Sequence, residues 1–338
     1  MVAPLPKVSV LVPCFNDGRF LGEALASIAA QSFGDFEVVV SDDASSDDSA
    51  AIAEAWAARD PRFRLLRNAE NLGMTENWSR ALAAARGELV AKLDGDDAWR
   101  PDTLKRLLEA LDSARGVLAA FCRAEVGDES LGALLAWPGD SALARAGIDP
   151  LMRRLDRGGR FWLLSLGDAQ LWHSNAFLLR RADLEQLGGF DERWSCAADT
   201  ALLLRVLAED RPTAHVPYAG VLYRRRAGSV SARFEERGWK ALEAELVRLD
   251  ALARDGRRFA PLPRTARQAW WQTWRNFRGL RRDEALWSGM PERLRRKLKG
   301  AAARVVPPPL PIRAEGWLRL QGWRARAAIV PRAAKGSG

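Results

Sequence analysis

The sequence predicts an α/β fold in which a doubly wound, mostly parallel sheet is flanked by helices. Strand-like and helix-like patterns alternate four times in the first 113 residues, with short loops between them. Such a series forms a parallel sheet, because each helix carries the chain back to the edge from which the strand began. Polar side chains also gather after the predicted strands, where open α/β sheets hold their ligands.

Short runs of apolar or β-branched residues are predicted to be strands. The first run, KVSVLVP, ends at Pro13, since proline cannot donate a hydrogen bond to a strand ladder. The run 89–93 is apolar except for Lys92, which is typical of a buried parallel strand. No Gly-x-Gly-x-x-Gly follows the first strand, which excludes the usual dinucleotide fold. The other predicted strands are 36–41, 63–67, 117–124, 177–179 and 221–225.

Helices are predicted where apolar residues recur every three or four positions. Leu21, Leu25 and Ile28 form one such stripe. Residues 127–160 contain several Gly and Pro and are predicted to be irregular, as a lid or an insertion. Beyond Ser231 the pattern is helical and rich in arginine. The earlier predicted helices begin near residue 20, after residue 47 and near residue 101, and span 75–85, 182–187 and 198–208.

Composition indicates a protein of a reducing compartment. No run approaches eighteen uninterrupted apolar residues, and the N-terminal residues lack a charged region followed by an apolar core, so neither a membrane span nor a signal peptide is predicted. Cys14, Cys122 and Cys196 lie far apart, which argues against a disulfide framework or a zinc site. We therefore predict a cytoplasmic protein.

The charge is divided unevenly along the chain. Residues 264–338 carry 18 Lys and Arg against 4 Asp and Glu, while residues 1–263 carry a net charge of −5. This asymmetry predicts an anionic partner for the C-terminal quarter rather than for the main domain. No recognition module accompanies the basic residues, so nucleic acid is not the predicted partner.

An acidic turn follows the predicted strand 89–93. Asp94, Asp96 and Asp97 lie within four residues, and Gly95 allows a sharp turn between them. Because the three carboxylates repel one another, a hard divalent cation with oxygen ligands is their simplest partner. The alternative is a solvated acidic turn.

Six segments of the chain matter together, in this order: VSVLVPCFND, FEVVVSDDASSDDS, NLG, ARGELVAKLDGDDAWRPDTL, LGGFDERWSCAADTALLLR and YRRRAGSVS. With these segments the chain resembles the inverting family-two glycosyltransferases of the GT-A fold. The resemblance covers about residues 7–231, and it implies a GT-A catalytic domain over 1–231 with a helical, Arg- and Trp-rich extension over 232–338. The processive-synthase signature QxxRW is absent, which favours the transfer of a single sugar.

The resemblance implies how a nucleotide-sugar donor is bound. Pro13 and Asn16 would pack along the nucleotide, and Asp42 would accept a hydrogen bond from the base, typically a uracil. Asp94 and Asp96 would hold Mn²⁺ or Mg²⁺ against the diphosphate. Arg226 stands where relatives often have a histidine, so either this residue or Arg224 would pair with phosphate oxygens. Alternatively, Asp42 and Asp43 cap the next helix.

The resemblance also implies the catalytic base. It would be Asp199, in a pair that reads Ala198-Asp199 where relatives usually have Glu-Asp. Asp199 would take the proton of an acceptor hydroxyl as that oxygen attacks the anomeric carbon, with inversion in one displacement. Asp191 in the preceding turn is the alternative base.

Four other residues are open to more than one interpretation. His173 lies with Asp168 near the expected acceptor side, whereas His215 is predicted to be structural. Cys14 is predicted to be a small buried residue. Trp99 could stack on a sugar or pack in the core.

The basic extension suits a helix lying in an anionic leaflet, with Trp270, Trp274 and Phe277 on one side. The acceptor would then be a glycan or a lipid-linked saccharide. Alternatively, these helices pack on the catalytic domain and expose their arginines. Two rival functions remain: a sugar nucleotidyltransferase, and a catalytically silent scaffold tethered at a membrane.

Overall fold

The computed structural model describes residues 5–132, 134–145, 154–157, 165, 172–255 and 264–305. Within these residues ten strands form one mixed sheet, and helices cover both of its faces. The strands are β1 (Val8–Cys14), β2 (Phe36–Asp42), β3 (Phe63–Arg67), β4 (Leu89–Lys92), β5 (Ala98–Trp99), β6 (Ala119–Gly127), β7 (Leu135–Ala136), β8 (Arg154–Arg157), β9 (Phe177–Arg180) and β10 (Pro212–Arg224).

The helices alternate with strands in the first half and follow one another in the last third. They are α1 (Gly18–Ala29), α2 (Ser49–Arg59), α3 (Met74–Ala84), α4 (Thr103–Leu111), α5 (Pro138–Arg145), α6 (Arg181–Gln186), α7 (Ala198–Ala208), α8 (Val230–Glu236), α9 (Trp239–Asp255), α10 (Arg264–Arg281), α11 (Glu284–Ser288) and α12 (Glu292–Ala303).

The centre of the sheet has the order β3-β2-β1-β4-β9-β6-β10-β5. Strands β3, β2, β1 and β4 are parallel, so their carboxyl ends meet at one edge. Strand β9 lies antiparallel between β4 and β6. The predicted α/β fold with a mostly parallel sheet is therefore confirmed, and the loops after β1, β2 and β4 lie side by side.

Two strands depart from the prediction. The strand predicted over 221–225 is the end of β10, which begins at Pro212 and pairs with β6 along its length. Its first half was missed because it contains Pro217, and the pairing shifts register between Val216 and Ala219, where the proline lies. The two-residue strand β5 was missed because it is too short to show a period. Residues 127–160, predicted to be irregular, contain β7, α5 and β8 among their described residues.

Alternate side chains of the strands fill two hydrophobic clusters, one on each face of the sheet. Val10 and Val12 point to the face covered by α1, α2 and α4, while Leu11 points to the opposite face. Trp99 belongs to the first cluster, and its indole N–H donates to the Asn175 carbonyl at 2.9 Å. The stacking alternative for Trp99 is therefore wrong, because the ring is already used in the core.

The C-terminal helices pack against the sheet-containing part of the chain. Leu246, Phe277 and Leu298, from α9, α10 and α12, are buried in the same cluster as Trp194 and Leu203. Trp274 packs against that cluster as well, while the side chain of Trp270 lies outside the described residues. The apolar side of these helices is thus occupied by protein rather than open to a leaflet. No helix of the described residues is long and apolar enough to span a membrane.

Candidate active site

A cavity of about 530 Å³ opens at the carboxyl ends of β1 and β4. Its walls come from the loops after β1, β2 and β4, from the start of α3, from the end of β10 and from the C-terminal helices. Among the predicted site residues, the cavity is lined by Pro13, Asp94, Asp96, Arg224 and Arg226. The structure therefore brings together five residues from three segments that are far apart in the sequence.

The acidic turn after β4 is held by two cations of the chain. The Lys92 ammonium donates to Asp94 Oδ1 at 2.6 Å, and Arg226 Nε donates to Asp96 Oδ2 at 2.7 Å. Lys92 is fully buried, but the Asp94 side chain is 29% exposed toward the cavity. Gly95, between Asp94 and Asp96, has little room for a side chain, since an added Cβ would lie 3.0 Å from Cys14 Cβ and from Asp17 Oδ2.

Asp97 stabilises the acidic turn through buried hydrogen bonds. Its carboxylate is buried, and it accepts hydrogen bonds from the Arg224 backbone N–H at 2.8 Å and from the Asn175 amide. The Asn175 side-chain oxygen in turn accepts from Lys92 at 2.7 Å. Burial raises the pKa of Asp97, with the charges of Asp96 and Asp94 adding to the effect. This buried network fixes where Asp94 and Asp96 point.

Asp17 is a site residue that the sequence analysis missed. Its carboxylate accepts from Arg226 Nη2 and lines the same cavity as Asp96. Burial and the neighbouring charge of Asp96 raise the pKa of Asp17 to about 7. The only sequence signal was its place in the loop after β1, one residue beyond Asn16.

Arg224 and Arg226, the two candidates for binding phosphate, differ in burial and in the partners of their guanidinium groups. The Arg224 guanidinium is buried and bonds Glu23, the Asp96 carbonyl and the Glu129 carbonyl. Arg226 is bonded to Asp17 and Asp96, whose carboxylates face the cavity with it. Of the two, Arg226 is therefore the better placed to meet an anionic ligand.

Asn16 does not line the cavity. Its backbone has φ 56°, and its side-chain oxygen accepts from the Ser46 N–H at 2.9 Å. Ser45 Oγ accepts from the Asn16 N–H at 2.9 Å. Asn16 therefore holds the loop after β1 against the loop after β2.

Asp42 and Asp43 have different surroundings. Asp42 is fully buried, and its Oδ2 lies 3.7 Å from Arg67 Nε and accepts from the Ser45 N–H at 3.3 Å. Ser45 and Arg67, but not Asp42 itself, line a surface groove. Asp43 lines the main cavity and accepts from the N–H groups of Leu72 and Gly73 at 2.8 and 2.9 Å. The alternative that they cap α2 is wrong, because Asp47 accepts from Ser49 at the start of that helix.

Asp199 lies in the first turn of α7, half-buried, and its Oδ1 accepts from the Thr200 N–H at 2.6 Å. It lines a second cavity of about 30 Å³, mostly apolar, which shares the Trp78 side chain with the main cavity. Lys92, the partner of Asp94, lines this smaller cavity too. The structure thus places Asp199 behind Trp78, beside the main cavity rather than in it.

The alternative base, Asp191, is engaged elsewhere. Its carboxylate is paired with Arg193 at 2.6 Å, and Arg193 also binds Asp250 of α9. Arg193 lowers the pKa of Asp191 through hydrogen bonds and charge, although burial acts in the opposite direction. A carboxylate held in this way is a weak proton acceptor, so Asp191 is the poorer candidate.

The histidines and Cys14 are buried. Trp172 Nε1 donates to His215 Nδ1 at 2.9 Å, in agreement with the structural role predicted for His215. His173 packs against Tyr223 in a tilted arrangement and against Trp137 edge to face, and Asp168 lies outside the described residues. Cys14 is buried as predicted, and burial next to Asp42 raises the pKa of its thiol.

The basic extension contributes to the cavity, which the sequence analysis did not foresee. Arg293 and Lys297 of α12 and Arg233 of α8 all line the cavity. Arg293 and Lys297 are paired with Glu76 of α3, at 2.6 and 3.4 Å. Nothing in the local pattern of α12 signalled this role, because the contact joins residues more than 200 positions apart.

The acidic turn suits a divalent cation, provided that a ligand supplies further oxygens. Asp94 and Asp96 offer the hard carboxylate oxygens that Mg²⁺ and Mn²⁺ prefer. Among the described residues there is no group of three His, Cys, Asp or Glu that could hold a metal alone. One or two carboxylates together with substrate phosphates is a common arrangement for Mg²⁺.

A mixed sheet of this order, with an acidic turn facing a cavity at the carboxyl ends of its strands, defines the GT-A class of glycosyltransferase folds. Residues 9–160 match the model described as "Glycosyl transferase family 2". The N-acetylglucosaminyltransferase of Bradyrhizobium elkanii is 37% identical over 129 residues, 36% of this chain and 71% of that protein. The chain therefore belongs to glycosyl transferase family 2.

A longer match joins the chain to the succinoglycan biosynthesis protein ExoO of Rhizobium meliloti. The two are 31% identical over 227 residues, which are 67% of this chain and 63% of ExoO. The chain spans less than two thirds of the length of several curated relatives, from 26% to 63%.

Solved structures share the fold at low identity. S. aureus TarS 1-349 in complex with UDP-GlcNAc has a TM-score of 0.57 and 18% identity, covering 95% of this chain and 92% of that one. The mannosyltransferase PcManGT of Pyrobaculum calidifontis, in complex with GDP-Man and Mn²⁺, has a TM-score of 0.56 and 20% identity, covering 99% and 89%. These likenesses concern the fold alone.

Proposed function

We propose that this chain is a metal-dependent inverting glycosyltransferase. It moves one sugar from a nucleotide-diphosphate donor, with UDP favoured, to a hydroxyl of a glycan or lipid-linked saccharide. The observation that carries the proposal is the pair Asp94 and Asp96, aimed into the large cavity beside Arg226 in a family 2 chain. The complexes of TarS with UDP-GlcNAc and of PcManGT with GDP-Man and Mn²⁺ are consistent with such a donor.

The donor is proposed to lie along the loops after β1 and β2. Pro13 forms part of the cavity wall, and Asn16 holds those two loops together. Asp42 is the proposed reader of the base, beside the groove of about 430 Å³ at Ser45 and Arg67. A carboxylate there can accept the imide N–H of uracil.

Asp94 and Asp96 are the residues that would hold Mn²⁺ or Mg²⁺ with the diphosphate. Such a cation supplies Lewis-acid stabilisation of the charge on the departing nucleotide diphosphate. Arg226 is the proposed phosphate partner, because its guanidinium lies at the same end of the cavity and already pairs with Asp96. Arg224 supports it by fixing the backbone of the acidic turn.

Asp199 is proposed to remove the proton of the acceptor hydroxyl. We place that hydroxyl at the boundary of the two cavities, where Trp78 forms a wall of both. The attack would come from the side of the sugar opposite the diphosphate, which gives inversion without a covalent intermediate. For this role the Asp199 carboxylate would have to face the main cavity, which it does not line in this structure.

The test is release of nucleotide from a panel of nucleotide sugars with a saccharide acceptor. Manganese should stimulate the wild-type transfer and a chelator should abolish it. Asp199→Asn should lower kcat by about 10²- to 10⁴-fold, the usual contribution of a general base. Asp191→Asn is the matched control and should keep transfer within a few-fold of wild type.

Other results would favour the rival functions. Incorporation of label from a nucleoside triphosphate, with release of pyrophosphate, would indicate a nucleotidyltransferase. A wild-type protein that binds a nucleotide sugar yet turns over none would indicate a silent scaffold. Transfer that continues in the chelator would contradict the role of the metal, and would mean that Lys92 and Arg226 neutralise the site by themselves.

We also propose that the protein is cytoplasmic and that it associates with the membrane surface by electrostatic attraction alone. The arginines of α10 and its neighbours are exposed, among them Arg275, Arg278 and Arg282, whereas the apolar sides of these helices are buried. Association with vesicles containing anionic lipid should therefore weaken steeply between about 0.1 and 0.5 M salt. Salt-resistant binding would contradict a purely electrostatic contact.

A further inference from the structure

The turn before α7 is held by a carboxylate from the C-terminal extension. Glu243 of α9 is fully buried, and its two oxygens accept the backbone N–H groups of three consecutive residues. The donor–acceptor distances are 2.5 Å for Ser195, 2.6 Å for Cys196 and 3.0 Å for Ala197. Ala197 is the N-cap residue of α7, directly before the first helical residue, Ala198.

Such a contact is strong for two physical reasons. Ser195 and Cys196 precede α7 and Ala197 is its N-cap, so none of their N–H groups has a partner within the helix, and Glu243 satisfies three donors that would otherwise be lost. The positive end of the helix dipole also favours a negative charge. Burial raises the pKa of Glu243, and the three N–H groups oppose that effect by stabilising the carboxylate.

The same turn is held from its other side by α3. Thr75 Oγ1 donates to the Trp194 carbonyl at 2.6 Å. Trp194, Ser195 and Thr75 line the main cavity, and Asp199 lies only two residues beyond Ala197. The turn 194–197 is therefore the link between the cavity and the proposed base.

We propose that Glu243 is a positioning residue for the acceptor side of the site. By fixing the turn 194–197 it sets the first turn of α7 and with it the direction of the Asp199 carboxylate. The extension is then part of the catalytic unit and not an appendage to it. This inference rests on the proposed function, because it assigns the consequence of the contact to Asp199.

The first experiment measures transfer kinetics of Glu243→Gln in the full-length chain. The substitution keeps the size of the side chain but removes the charge and turns one acceptor oxygen into a donor, which must then face a backbone N–H. We expect kcat to fall by up to about 100-fold, since small misplacements of catalytic groups have effects of this size. The KM for the donor should stay within about twofold, because the donor-binding residues are not held by Glu243.

Glu245→Gln is the matched control. Glu245 is on the same helix and is buried too, but it accepts from the Asn276 amide of α10 at 2.9 Å. Its replacement disturbs packing within the extension without touching the turn, so kcat should stay near the wild-type value. An equal fall of kcat in both variants would overturn the proposal, because it would show a general effect on stability.

A second readout does not depend on activity. Hydrogen–deuterium exchange of the amides of Ser195, Cys196 and Ala197 should be slow in the wild type and at least tenfold faster in Glu243→Gln. It should be unchanged in Glu245→Gln. Unchanged exchange in Glu243→Gln would contradict the proposal that Glu243 fixes the turn 194–197, whatever the kinetics show.

Glu243→Asp keeps the charge but withdraws it by one methylene. Its kcat and its amide exchange rates should be intermediate between those of the wild type and Glu243→Gln. If Glu243→Gln does not fold, Glu243→Asp is the variant used for the test. If the wild type transfers no sugar, the proposed function fails while the exchange measurement still decides whether Glu243 holds the turn. If the wild type transfers sugar and Glu243→Gln matches it, only the present inference fails.

Discussion

His173 is the residue whose chemistry is changed most plainly by its surroundings. Burial lowers the pKa of His173 to about 3, and its Nδ1 accepts the Asn175 N–H at 3.3 Å, as only a neutral ring can. The ring is therefore uncharged at neutral pH and packs against the rings of Tyr223 and Trp137. It is not a proton donor to an acceptor sugar, despite its place beside the smaller cavity.

This burial predicts how stability depends on pH. Between the folded pKa of about 3 and the usual value of 6.5, the unfolded His173 binds a proton that the folded one does not. The free energy of unfolding therefore falls as the pH drops below 6.5, by up to about 1.4 kcal/mol per pH unit from this group. Urea unfolding at pH 7, 6 and 5 should show a shallower fall for His173→Asn than for wild type. Parallel curves for the two proteins would contradict the prediction.

At the scale of elements, β1 lies so close to Gly87 that no side chain fits at this position. A Cβ built on Gly87 would lie 2.6 Å from the Ser9 backbone nitrogen and 2.8 Å from the Val8 carbonyl carbon. Gly22, in the middle of α1, has nothing within 4 Å of the same position. Close packing against β1 therefore excludes a side chain at position 87, whereas position 22 has space for one.

Alanine should act in opposite directions at these two sites. Gly87→Ala should lower the free energy of unfolding by about 1–3 kcal/mol, because the backbone of β1 must move. Gly22→Ala should raise it by roughly 0.5–1 kcal/mol, because alanine loses less entropy in a helix. Equilibrium unfolding in urea measures both. A neutral result for Gly87→Ala would mean that the strands are less closely packed than the structure indicates.

The strands also differ in how well they could be predicted from the sequence. Strands β1 to β4 were found because each is short, apolar and followed by a helical period. The first half of β10 was missed because Pro217 interrupts it, and inside a central strand a proline is accommodated at a bulge, as the register shift after Val216 shows. The bulge depends on the partner β6, so no local signal could have shown it.

At the scale of the whole molecule, the division at residue 231 remains a prediction, but the hydrophobic core crosses it. Trp194 and Leu203 lie in one cluster with Leu246, Phe277 and Leu298 of the extension. The extension also brings Arg293 and Lys297 to the cavity and Glu243 to the turn before α7. Core and site therefore both depend on the last third of the described chain.

A shared core predicts a single unfolding transition. Phe277→Ala should lower the free energy of unfolding by about 3–5 kcal/mol, since the ring is almost fully buried between α10 and the domain. Arg275→Ala, on the exposed side of the same helix, should change it by less than about 0.5 kcal/mol. Calorimetry of the full chain is the measurement. Two separate transitions, of which Phe277→Ala shifts only one, would show that the extension folds independently.

The sequence by itself determined the α/β fold, the acidic turn of Asp94 and Asp96, and the family, because these depend on periodicity and on residues close together in the chain. Only the tertiary structure decided that Lys92 and Arg226 pair with that turn, that Asp17 lies beside it, that Glu243 binds the turn before α7, and that Arg293 lines the cavity. Contacts between residues far apart in the chain form when separate apolar faces pack together. Packing of that kind leaves no pattern in any single stretch of sequence.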